Sequence, residues 1–194
     1  YGTLALDCGN DFSFKSFKID PAWLVKGPNV LAVEIHQTSA SSSDLFFDLE
    51  LTVLAPAPAA APAVLVARRS EWKYFDKGQD LGKAWRVSTF DDSAWATGKA
   101  PLGYGGKGET TAVGFGADAA HKYPTTYFRK TFTVTDPSAY RELTLQIARD
   151  DGALVYLNGR LVAVTSMPPG MSDENVAYGT LALDCGNDFS FKSF

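Results

Sequence analysis

Asp150 and Asp151 stand side by side, followed at once by Gly152, at the end of a run in which Leu143, Leu145 and Ile147 alternate with polar residues. Two carboxylates at one strand end, with loop carbonyls nearby, suit a hard cation such as calcium, which takes about six to eight oxygen ligands. The same pair can equally serve to cap a hairpin turn. No further run of acidic oxygens of the DxDxDG kind accompanies it.

A second chemistry open to these residues is sugar binding, which needs an exposed aromatic platform ringed by planar hydrogen-bonding groups. Trp72, Tyr104, Tyr123, Tyr127 and Tyr156 are the candidate platforms, with Arg149, Asp151, Asn158 and His36 as polar partners. The competing reading makes these aromatics core or loop anchors and Arg149 the ion-pair partner of Asp150. Ser43, His36 and Asp44 could be written as a nucleophilic triad, but no nucleophile elbow or oxyanion motif supports it. Nor does anything single out a carboxylate pair for glycoside hydrolysis. The expectation is a protein without catalysis.

The elements that must position these groups are organised by a repeat. YGTLALDCGNDFSFKSF occurs twice without change, at residues 1–17 and 178–194. The copies start 177 residues apart, and a fixed long period is what a tandem array of whole domains leaves in a sequence. Cys8 and Cys185 are the same position in successive periods, so each period has one cysteine. That cysteine is either a buried thiol acting as a small hydrophobe or one half of an inter-repeat disulfide, which would require an oxidising compartment. Residues 55–63, APAPAAAPA, have the composition of an extended linker. The division that follows is 1–54 as the C-terminal part of one repeat, 55–63 as linker, and 64–194 as the N-terminal part of the next. Two geometries stay open. Strand edges left unpaired at either end could be completed by another chain, or residues 18–53 could fold back onto 64–194, leaving the two copies to compete for one site.

Period-2 alternation over short segments, with almost no helical pattern, predicts an all-β antiparallel sandwich or jelly roll. Strands are expected at 64–67, 71–75, 125–134 and around Leu31, Val33 and Ile35. A last strand turns Phe47, Leu49, Leu51 and Val53 one way, and an Asn158-Gly159 hairpin follows a turn at 150–152. Asp20-Pro21 predicts a capped helical turn. Trp85, Phe90 and Trp95 should pin an irregular loop, the glycine-rich stretch 103–124 reads as a long loop, and the repeated block is expected to form a strand pair with Leu4 and Leu6 on one side. Hydrophobic residues at 45%, charged residues at 21% and a net charge of −4 carry no basic field for nucleic acid. No apolar run approaches the roughly 20 residues that span a bilayer, and no signal peptide is visible.

At WRVSTFDDSAWATGKAPLGYG, YFRKTFTV, RDDGALVYLNG and NVLAVEIHQ the chain resembles the galactose-binding-domain-like jelly rolls of large secreted bacterial proteins. More loosely, it is similar to the sugar-binding domain of β-galactosidases. The Asp150-Asp151-Gly152 turn also resembles that of the calcium-dependent lectin domain of yeast flocculins, where two adjacent aspartates hold calcium beside the sugar. These resemblances imply a secreted or surface-associated module. Two functions are carried forward: a structural or adhesive fibre of repeats whose partners are copies of itself, and a carbohydrate-binding module that uses calcium to hold polysaccharide or cell-surface glycan.

Overall fold

A computed structural model describes residues 14–55 and 62–183 of the chain. The strands in chain order are β1 (Lys15–Ile19), β2 (Gly27–His36), β3 (Leu45–Leu54), β4 (Ala63–Val66), β5 (Glu71–Phe75), β6 (Ala96–Lys99), β7 (Leu102–Tyr104), β8 (Thr111–Ala112), β9 (Thr125–Val134), β10 (Glu142–Asp150), β11 (Gly152–Leu157) and β12 (Arg160–Thr165). The first sheet runs β1-β10-β3-β7-β8, with β4 also on β3, and the second runs β12-β11-β2-β9-β5-β6. Apart from the short parallel pair β7 and β8, neighbours are antiparallel. The protein is an all-β, two-sheet sandwich.

Alternation explains how the sheets face each other, because successive strand residues point to opposite faces. Leu31, Val33 and Ile35 of β2 meet Phe47, Leu49, Leu51 and Val53 of β3 and Leu143, Leu145 and Ile147 of β10 in one buried core. Trp72 fills the same space, edge-on to Phe47 at 4.9 Å between ring centroids, and Phe128 stacks on Phe47 at 4.5 Å. The opposite parity of β2, β9 and β11 (Val30, Ala32, Tyr127, Leu154 and Tyr156) is buried too, under Trp85, Trp95, Met167 and Ala182 from two long loops. The middle of the second sheet is therefore covered on both faces, and its strands β2 and β11 read as near-continuous apolar runs.

Turn chemistry sets the corners. Asp20 Oδ1 accepts Ala22 N at 2.9 Å with Pro21 at the first helical position, and Asp136-Pro137 repeats the device on the next corner. Asn158 and Gly159, at φ 53° and 84°, make the two-residue hairpin between β11 and β12. Asn158 Oδ1 also accepts Val30 N, and its Nδ2 donates to Asn29 Oδ1 and to the Trp23 carbonyl.

The segments on either side of the Pro/Ala stretch, which the sequence assigned to successive repeats, interleave here in both sheets. β3 lies against β10 over nine residue pairs, β2 lies between β11 and β9, and β3 and β4 pair across the stretch itself with Val53 opposite Ala63. Among the described residues the two copies are represented by different parts of the block. The end of the first copy supplies residues 15–17 as the first part of β1 on the edge of β10, and Arg68 lies 3.7 Å over the Phe14 ring. The start of the second copy, residues 178–183, lies as a strap on the outer face of the second sheet. That strap has the expected alternation with the opposite parity: Leu181, equivalent to Leu4, is 43% exposed and Ala182 is buried. It joins no ladder: the Tyr178 and Thr180 carbonyls accept from the Thr125 and His36 side chains, while Ala182 N and Leu183 N donate to single backbone carbonyls. Cys8, Cys185 and most of the expected linker lie outside the described residues.

Candidate functional site

The junction between β10 and β11 brings Asp150 and Asp151 to one end of the sandwich, joined by a cis peptide bond. Asp151 Oδ2 accepts Thr38 N at 2.7 Å and Ser42 Oγ at 3.1 Å, tying the turn to the loop between β2 and β3. From the end of that loop Asp44 approaches, with Oδ2 3.3 Å from Lys107 Nζ and Oδ1 accepting Ser43 Oγ at 2.8 Å. Gly105 allows this approach: a Cβ there would stand 2.4 Å from Asp44 Cβ, and its φ of 111° suits glycine alone. Burial, with the neighbouring charges of Asp151 and Asp44, pushes the Asp150 carboxyl up to about 7.

Above the carboxylates sits Tyr104, whose hydroxyl accepts Gln37 Nε2 at 2.7 Å. Burial, then the charges of Asp151, Asp44 and Asp150, push its phenol up. Its ring packs on Phe115 at 4.9 Å, and Lys122 Nζ lies 5.1 Å from the Tyr104 centroid and 5.2 Å from that of Phe115 while donating to the Ser42 carbonyl. Gln37 is fully buried, and its Oε1 has no hydrogen-bond partner. Among the described residues no group of three His, Cys, Asp or Glu side chains is placed to hold a metal. A cation at Asp150 and Asp151 would thus draw on neutral oxygens, of which Gln37 Oε1 and the loop carbonyls are the nearest in kind.

Most of the sequence-derived sugar platform lies elsewhere. Trp72, Tyr127 and Tyr156 are buried and expose no ring face. Trp72, on β5, belongs to the inter-sheet core, so the expectation of a surface platform there is corrected by its burial against Phe47 of β3. Tyr156 donates to Glu34 Oε1 at 2.6 Å and lies under the Arg86 guanidinium, 4.3 Å away. Arg149 is buried and donates to Thr165 Oγ1 and Ser166 Oγ at 2.8 and 2.7 Å, so it works inside the fold. Asn158 is spent on the hairpin corner at the far end of β11. Tyr123 is half-buried and packs on Gly78, where a Cβ would come within 2.3 Å of its ring. Only Tyr104 stands beside the two aspartates.

His36 is fully buried and belongs to a different cluster. Its Nδ1 faces the Thr180 carbonyl at 2.7 Å and Thr125 Oγ1 at 3.1 Å; a carbonyl can only accept, so Nδ1 carries the proton. Nε2 faces Glu34 Oε2 at 3.4 Å, and Glu34 Oε1 accepts Arg86 Nη2 at 3.2 Å. Ser43 donates to Asp44 on the surface, so the triad written from Ser43, His36 and Asp44 is not assembled. Glu34 and Arg86 were missed from the sequence. The available signal was a charge sharing the parity of Val30, Ala32 and His36 within an apolar strand.

No protein-family model, curated protein or solved structure matches this chain.

Proposed function

We propose that this chain is one period of an exported, non-catalytic array of β-sandwich repeats, of the galactose-binding-like jelly-roll kind, that serves as a structural or adhesive fibre at the cell surface. The observation that carries this reading is the divided use of the repeated block. One copy supplies the first residues of β1 and the other supplies the strap, so one block per period can serve both places. Each period then buries its own core, and the array behaves as nearest-neighbour units in a line. The test is a chain extended by one further 177-residue period. Two equal unfolding events in single-molecule stretching support the reading; one event, or aggregation of the second period, rejects it.

A second reading is supported by the Asp150 end. Two adjacent carboxylates, one of them pushed up by burial and by the charges of Asp151 and Asp44, and a buried amide oxygen without a partner favour a calcium-assisted carbohydrate site beside Tyr104. Calorimetric titration with calcium, followed by a glycan array with and without chelator, tests it. Heat on calcium addition that vanishes in Asp151→Asn supports the site, and no glycan bound in either condition removes the carbohydrate role.

A further inference from the structure

We propose that the groove seating residues 178–183 is an exchange site for a second copy of this chain, whose residues 1–6 are the incoming segment. This rests on the array reading and specifies how its junctions form.

The seat is made mainly of backbone contacts. Thr125 Oγ1 donates to the Tyr178 carbonyl at 2.5 Å, and His36 Nδ1 to the Thr180 carbonyl at 2.7 Å. Ala182 N donates to the Gln37 carbonyl and Leu183 N to that of Ser166, both at 2.9 Å. Two side chains give it specificity. The Tyr178 ring stacks on Tyr127 at 6.5 Å, and Ala182 fits against a bare backbone, since a Cβ on Gly152 would stand 2.7 Å from its own Cβ and 2.6 Å from Met167 Sδ. Both side chains recur in the first copy, as Tyr1 and Ala5, within the same six residues YGTLAL. Each of these contacts can therefore be reproduced by residues 1–6, whose sequence is that of residues 178–183.

What favours residues 178–183 is their tether, which acts as a high local concentration. The strap is held by these few contacts outside any ladder, so an incoming segment has little to displace. Residues 7–13 separate the incoming segment from residues 14–17, of which 15–17 keep their own place in β1 on β10. Such a stretch reaches about 25 Å when extended, enough to let one block hold the groove of one body and the sheet edge of the next. Each body donates one segment and accepts one, which makes a heterologous contact that propagates head to tail.

The experiment is light scattering after size exclusion over a concentration series of the full chain, Ala182→Arg, Ala5→Arg and the double variant, with circular dichroism to check the fold. An arginine at position 182 cannot sit against Gly152, so Ala182→Arg should assemble at a concentration at least tenfold below the wild type, and the double variant should return to monomer. A folded Ala182→Arg that stays at wild-type mass overturns the proposal, as does assembly that persists in the double variant. Should Ala182→Arg not fold, a photoreactive analogue at position 1 of the otherwise unaltered chain should cross-link between chains to Thr125 or Tyr127. Cross-links confined within a chain, or to other surfaces between chains, overturn it. Failure here leaves the two-event stretching of the extended chain untouched, so the exchange and the array stand or fall separately.

Discussion

Glu34 shows what a single buried charge demands. Its Oε1 accepts from both Arg86 and Tyr156 while Oε2 lies 3.4 Å from His36 Nε2, and both Glu34 and Arg86 are almost fully enclosed. Removing one partner strands the other, so Arg86→Ala should cost about 3–5 kcal/mol in urea denaturation, whereas an apolar pair in place of both should cost far less. Asp150 sets a pH dependence of opposite sense to that of a salt-bridged aspartate. Its folded carboxyl titrates near 7 against about 4 in the unfolded chain, so the folded state binds the extra proton between these values and stability falls as pH rises through the window. Asp150→Asn should remove that slope, gaining on the wild type by roughly 2–4 kcal/mol between pH 4 and pH 8. Parallel denaturation curves at the two pH values check it, and equal slopes for both proteins would dismiss the assignment. Asp92 shows the usual case: burial works to raise it, but hydrogen bonds and charge from Arg129 and Lys73 prevail and hold it low.

At the scale of elements, the loop layer does for the second sheet what another sheet does elsewhere. Trp85 is its keystone, in contact with Tyr127 at 4.8 Å, Tyr156 at 5.9 Å and Trp95 at 6.5 Å, while the Trp85 and Val87 carbonyls accept from Arg129 Nη1. Trp85→Ala should cost about 3–5 kcal/mol, and hydrogen exchange at Ala182 and Leu183 should accelerate more than at Leu49 or Leu145. Strands with long alternating runs were legible in the sequence: β9 spans the expected 125–134, and β10 to β12 follow the expected turn and Asn158-Gly159 hairpin. β6, β7 and β8 were not, because two to four residues carry no period and depend on their partners for register. Of the site, the Asp150-Asp151 pair was legible as a motif. The approach of Asp44 and Gln37 was not, since both arrive from a loop more than a hundred residues away in sequence, and aromatic type alone could not separate the half-buried Tyr104 from Trp72 and Tyr156 inside.

For the molecule as a whole, closure of one sandwich by segments from both sides of the Pro/Ala stretch ties remote parts of the chain into one cooperative unit. β2 and β3 contribute central strands to the two sheets, so residues 63–165 alone would lack the partners of β9, β10 and β11. Deleting residues 14–54 should abolish cooperative unfolding rather than lower the midpoint, a difference that calorimetry reads directly.

The three enclosed tryptophans also give the protein a built-in optical readout. Trp85 and Trp95 report on the loop layer and Trp72 on the space between the sheets. Retaining only Trp72 in one variant, and only the loop pair in another, lets emission colour follow each layer separately. If the loop pair shifts to longer wavelength before Trp72 does, the strap and its neighbours lift while the sandwich stays closed; coincident shifts mean that the three layers melt together.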